Sequence, residues 1–204
     1  MRKLILAGLG VLVLFGIDQA ARLAAEHALA ERASRAANHP LSARASISSF
    51  PFLPRLLVLG RIRQAEVRVT GVRTGPVRLT AVEVEGTGVK VSRAALLKGQ
   101  VHLEDIDQGR VTVELGGPAL SDALHVPVHV EGDTVEVGGL GLRAAASVSV
   151  DRGSLVVRLA GLPTLTMPAV RIPLVPCDAT SVAVAGQRVR LTCELDDMPE
   201  ALKK

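Results

Sequence analysis

From Arg61 onward, valine and leucine return at every second position. IRQAEVRVTGV, VHLEDIDQGRVTVEL, PVHVEGDTVEVGGL, LRAAASVSVDRGSLVVRLAGL and SVAVAGQRVRL all alternate apolar with polar residues. Successive side chains on a strand point to opposite faces, so this period makes sheets with one aliphatic and one polar face. The core must be aliphatic, because the chain holds three Phe and neither Tyr nor Trp. With hydrophobic residues at 48%, the 204-residue chain has ample surface to bury as one domain behind a targeting segment.

Glycine and proline punctuate the strands. Hairpins are expected at Thr74-Gly75-Pro76, at Gly132-Asp133, at Asp151-Arg152-Gly153 and about Ala185–Gln187. LSARASISSF reads as a first strand. Val82 and Val84 are out of phase with Val77 and Leu79, so a bulge is expected near Ala81. SRAALLKG and GGPALSDALH read as short helices, and the proline-interrupted PAVRIPLVP suits an edge. The result is a β-rich α+β chain of roughly eight to eleven antiparallel strands with two short helices.

The N-terminus sets the compartment. Arg2 and Lys3 precede an uncharged, mostly apolar run from Leu4 to Ile17, which Asp18 ends. This is the charged and apolar pattern of an export signal. The run spans roughly 21 Å at 1.5 Å per residue, short of a full bilayer crossing. No small-residue cleavage site follows closely, and no Cys near residue 20 offers a lipid anchor. An uncleaved signal anchor is favoured over a cleaved peptide, with a transmembrane attachment and the domain on the extracytoplasmic face of the cytoplasmic membrane. The expected divisions are 1–17 for the signal, 18–40 for a helix leading into the domain, 41–197 for the β-rich domain and 198–204 for a charged tail.

The two cysteines, Cys177 and Cys193, flank the last hairpin. Folding it about Ala185–Gln187 brings both to the open end, where an oxidising compartment supports a disulfide.

Charge is uneven. Residues 22–93 carry twelve Arg or Lys against five Asp or Glu, and residues 94–204 carry ten against fourteen. A basic half fits anionic headgroups or a solvated strand face. Nucleic acid is excluded, because no aromatics interleave the arginines for base stacking.

No catalytic constellation emerges. G-x-S-x-G, H-E-x-x-H and Walker A patterns are absent from the sequence. Gly138-Gly139-Leu140-Gly141 opens no long helix. His125 and His129 are four apart and share a strand face, but a metal site would need a third ligand to converge on them. Glu104, Asp105 and Asp107 lack the spacing of a calcium loop. A non-enzymatic chain without metal or cofactor is expected. The rival functions are an assembly factor whose groove binds a protein and a hydrolase with scattered catalytic residues.

Two of the three Phe fall together in SFPFLPRLL. This segment is either a plug over one end of a sheet or a stiff apolar lip beside a lipid site. As a lip, Phe50, Phe52, Leu53, Leu56 and Leu57 contact acyl chains, while Arg55 and Arg61 reach phosphate. The order F-P-F-L, a Leu pair, Gly60-Arg61 and Glu66-Val67-Arg68-Val69, after a short apolar N-terminus and an Ala/Arg helix, resembles the LmeA-like family of actinobacterial cell-envelope proteins. The resemblance runs from about residue 1 to 197. It implies a fold akin to tubular lipid-binding domains, a long curved antiparallel sheet wrapped around a helix and an apolar groove. It also implies binding of phospholipid or a related glycolipid at the membrane, with envelope-biosynthesis proteins as partners. Unlike lipoprotein-type members, the chain has no lipobox Cys.

Overall fold

The computed structural model describes residues 2–37, 40–74, 77–96, 103–139, 142–151, 154–159, 165–167 and 180–195. The run 168–176, Cys177, and the tail 198–204 lie outside the described residues.

One continuous helix, α1 (Arg2–Ala36), carries the chain through both the apolar run and the Ala/Arg segment. Its two halves differ. Leu12, Val13, Leu14 and Phe15 are consecutive and all at least half exposed. At 100° per residue they cover the full circumference, so no side of this part of α1 is buried in the domain. Further along, Ala33 packs against the core and Ala37 just beyond the helix is buried in it. Among the described residues, no helix is long and apolar enough to cross a membrane.

Two antiparallel sheets follow. The larger has seven strands: β1 (Ser42–Ile47), β2 (Arg61–Thr70), β5 (Ala81–Val91), β7 (Gln108–Gly116), β14 (Arg188–Leu195) and β13 (Ser181–Ala185) in that order, with β6 (Leu103–Asp105) also paired to β5. The second runs β12 (Leu165–Met167), β11 (Ser154–Leu159), β10 (Leu142–Asp151), β9 (Thr134–Gly139) and β8 (Val128–Glu131). A ribbon of β3 (Arg73–Thr74) and β4 (Val77–Arg78) completes the strands. The β-rich α+β class is thus present, with a long antiparallel sheet behind an N-terminal helix. The short helices also form, as α3 (Arg93–Leu96) and α4 (Gly117–Leu124).

Register explains the core. Val69 lies opposite Val82, Val82 opposite Val113, and Val113 opposite Leu191. One strand-row of aliphatic side chains therefore crosses four strands on a single face. The five-stranded sheet supplies Val128, Val135, Val137 and Val157 to the same cluster. The centre is filled: Val69, Val82, Val111 and Val189 are fully buried. The margin is half open, at Val67, Val84, Val148, Val150, Val182 and Val184.

The expected bulge near Ala81 is instead a strand break at Leu79–Thr80. Leu79 N–H donates to the Val72 carbonyl and the Thr80 carbonyl accepts from Gly71 N–H, which folds the β3–β4 ribbon off the sheet. The phase changes there because β4 and β5 belong to different sheets. His125 and His129 do not share a strand face either. His125 ends α4 with φ 57°, while His129 is on β8, and both are exposed.

Candidate functional site: an apolar lip and a basic cleft

The chain climbs β1, crosses the end of the sheet through residues 48–60 and descends along β2. Pro51 and Pro54 stiffen the crossing, which forms α2 (Phe52–Pro54) and one π-helical turn, Arg55–Leu59. The Phe50–Pro51 peptide is cis. Gly60 closes the turn in the left-handed region at φ 63°, where its N–H donates to the Leu56 carbonyl at 3.1 Å. A Cβ there would stand 3.0 Å from the Val91 carbonyl oxygen, so glycine is required twice over.

The two rings two residues apart do different things. Phe52 is 3% exposed and plugs the end of the domain, whereas Phe50 is 63% exposed and stacks obliquely on Phe15 of α1, ring centres 6.0 Å apart. Leu53 and Leu56 are half-buried. Leu57 is exposed, together with Val58 and Leu59, which the sequence reading did not single out. Arg55 and Arg61 are exposed beside them.

What holds this lip was not anticipated. Asp18, read in the sequence only as the end of the apolar run, is buried, and its carboxylate accepts the N–H of Phe52 at 3.0 Å and of Leu53 at 2.6 Å. A side chain from one helix thus satisfies the orphan donors opening another. Two turns along α1, Glu26 accepts the Ile47 N–H at 2.8 Å and pairs with Arg22. Asp18, Arg22 and Glu26 recur at i, i+4 and i+8, the spacing of one helix stripe, and that spacing is the signal that points to them.

Behind the lip lies a cleft of about 430 Å³, lined in part by Leu59, Arg61, Lys90, Ser92, Arg93 and Glu104. Of the seven lipid-contact candidates, Arg61 is brought to it, and Phe50 and Leu57 stand exposed on the lip. Lys90 is committed elsewhere. Its hydrogen bond to Asp105 at 2.6 Å holds its pKa above the ordinary lysine value, with Asp107 3.7 Å away. Arg93 donates to the Val58 carbonyl at 3.1 Å, bracing the lip from the cleft side. The chemistry on offer is an apolar shelf beside guanidinium groups, the pairing that an acyl chain and a phosphate require. Among the described residues, no group of His, Cys, Asp and Glu could hold a metal ion.

A family model described as LmeA-like phospholipid-binding matches residues 16–203, nearly the whole chain. The chain belongs to the LmeA-like phospholipid-binding family. No curated protein and no solved structure matches it.

The last hairpin is the other predicted site. Cys193 is buried on β14 opposite Val111. Its expected partner, Cys177, is outside the described residues.

Proposed function

We propose that this LmeA-like chain binds phospholipid without chemically altering it, at the outer face of the cytoplasmic membrane, and holds or presents it during envelope biogenesis. The observation that carries this reading is the lip: Phe50, Leu57, Val58 and Leu59 are large, apolar and more than half exposed, and Leu59 continues into a cleft bearing Arg61 and Arg93. Exposed apolar patches rimmed by charge mark lipid or partner contacts. Family membership supports phospholipid as the ligand. Arg2 and Lys3 ahead of the apolar run favour the outward placement of the domain. Each acyl methylene taken out of water contributes on the order of 0.8 kcal/mol, so a few held along the lip suffice for retention.

Native mass spectrometry of protein purified from membranes tests this. Bound phospholipid is expected on the wild type. Phe50→Asp should strip it with a melting temperature close to wild type, because the ring is exposed. Phe52→Asp should instead fail to accumulate, since it buries a carboxylate at the plug position. A wild-type protein that carries no lipid and takes none from vesicles would sink the proposal.

A further inference from the structure

The apolar half of α1 and the lip meet at one end of the molecule. Leu9, Leu12, Val13, Leu14 and Ile17 are 51–68% exposed, and Asp18 and Phe15 tie that helix directly to the turn bearing Phe50 and Leu57–Leu59. The side chains that surround this end are basic. Between residues 42 and 65 there are four arginines and no carboxylate, and Arg55, Arg61 and Arg63 of that set are exposed next to the lip. Arg93 joins them across the cleft. Acids near this end include Asp18, spent on the lip's own N–H groups, Glu26, on the Ile47 N–H and beside Arg22, Asp105 and Asp107, beside Lys90, and Glu104 in the cleft.

We infer that this end docks on an anionic bilayer surface. The apolar half of α1, Phe50 and Leu57–Leu59 enter the hydrocarbon, and Arg55, Arg61, Arg63 and Arg93 meet the phosphates. An anionic bilayer is the occupant because it offers both chemistries in the right order of depth. Apolar side chains project from the end, and guanidinium groups stand just behind them. The Asp18 bonds matter to this arrangement, because they fix the lip at the level where α1 leaves the domain. The long axis of β2 then points away from the membrane. Leu41, hydrogen-bonded to Thr70 at the far end of β2, stands roughly 30 Å above the lip. Docking goes beyond lipid binding, since a protein can hold a phospholipid without pressing this end on a membrane.

The chain has no Trp, so a single introduced indole reports depth. Val58→Trp and Leu41→Trp both alter exposed sites. Each full-length variant is bound to vesicles of phosphatidylglycerol and brominated phosphatidylcholine. The indole of Val58→Trp should be quenched and blue-shifted, and that of Leu41→Trp should be neither. Replacing Arg55 and Arg61 by Gln should weaken partition onto these vesicles about 30-fold at low salt, and hardly alter it on phosphatidylcholine alone. Vesicle-bound Val58→Trp protein with an unquenched indole overturns the docking, even if the same protein carries phospholipid in the mass spectrometer. Equal loss on both vesicle types for the arginine variant overturns the anionic surface as partner.

Discussion

Glu114 shows how much a single residue carries on the polar face of the large sheet. It is buried, and it accepts hydrogen bonds from Arg188 at 2.8 Å and Arg190 at 3.1 Å, with Arg68 at 3.5 Å. Burial alone would raise its pKa. The bonds from Arg188 and Arg190 and the charge of Arg68 outweigh burial and hold it below the ordinary carboxylate value of 4.5. Glu83 moves the other way. Burial raises it, Arg68 opposes, and the charges of Glu66, Glu85 and Glu114 add to the rise. The signs separate the two in pH. A depressed carboxylate stabilises the fold above its unfolded pKa and loses that contribution as pH falls through the folded value. Stability should therefore hold or rise slightly as pH falls through the raised folded value of Glu83, and decline as pH falls further, below the ordinary carboxylate value of 4.5 towards the depressed folded value of Glu114. Glu114→Gln should cost about 1.5–3 kcal/mol at pH 7. The lower figure is expected, because the three guanidinium groups are close to half exposed and recover water. The same variant should flatten the acid limb. Urea melts of both proteins between pH 7 and 3 check it, and an unchanged acid limb would assign the loss to other carboxylates. None of these pairings is legible in the sequence. Glu114, Arg188 and Arg68 are on three strands far apart in the chain, and the registers of β7 with β14, of β5 with β7 and of β2 with β5 together assemble them.

Single elements were more legible than their assembly. Each alternating run became a strand, because period two leaves a half-buried sheet as the arrangement that hides every second side chain. On β14, Val189, Leu191 and Cys193 are buried while Arg188, Arg190 and Glu194 are exposed. The β13–β14 hairpin turns at Gly186-Gln187, both with positive φ, as a two-residue turn between twisted strands requires. What stayed hidden was pairing between strands distant in sequence, which divides them between two sheets. Phe50 and Phe52 were hidden for a different reason. A plug and a lip have the same composition, and only the direction of each ring separates them. The cysteines belong to this scale. We propose that Cys193 is bridged to Cys177, closing a loop of about 15 residues that contributes roughly 3 kcal/mol in the chain-entropy account. Thiol counting on denatured, unreduced protein should find none reactive, and two reactive thiols would reject the bridge.

At the scale of the molecule, the aliphatic seam between the sheets has a filled centre and a half-open margin, and the two should respond differently to mutation. Val82 is fully buried at the centre. Val82→Ala leaves a void that its neighbours cannot close, and should cost on the order of 2 kcal/mol, or roughly 4–8 °C in a domain of this size. Lipid carriage by the folded fraction should not change. Val182, on the edge strand β13, is half-buried at the margin. Val182→Asn removes some volume from a half-buried edge site but can turn its amide to water, so its melting temperature should stay within a few degrees of wild type. If an acyl chain held at the lip continues along this margin, the amide would sit against hydrocarbon with its hydrogen bonds unmade. Phospholipid occupancy should then fall several-fold in native spectra. Occupancy equal to wild type in a folded Val182→Asn protein would confine the lipid to the lip and cleft, and leave the margin as ordinary exposed valine. The pair of variants distinguishes a molecule that merely has an aliphatic core from one whose core edge continues as a binding surface.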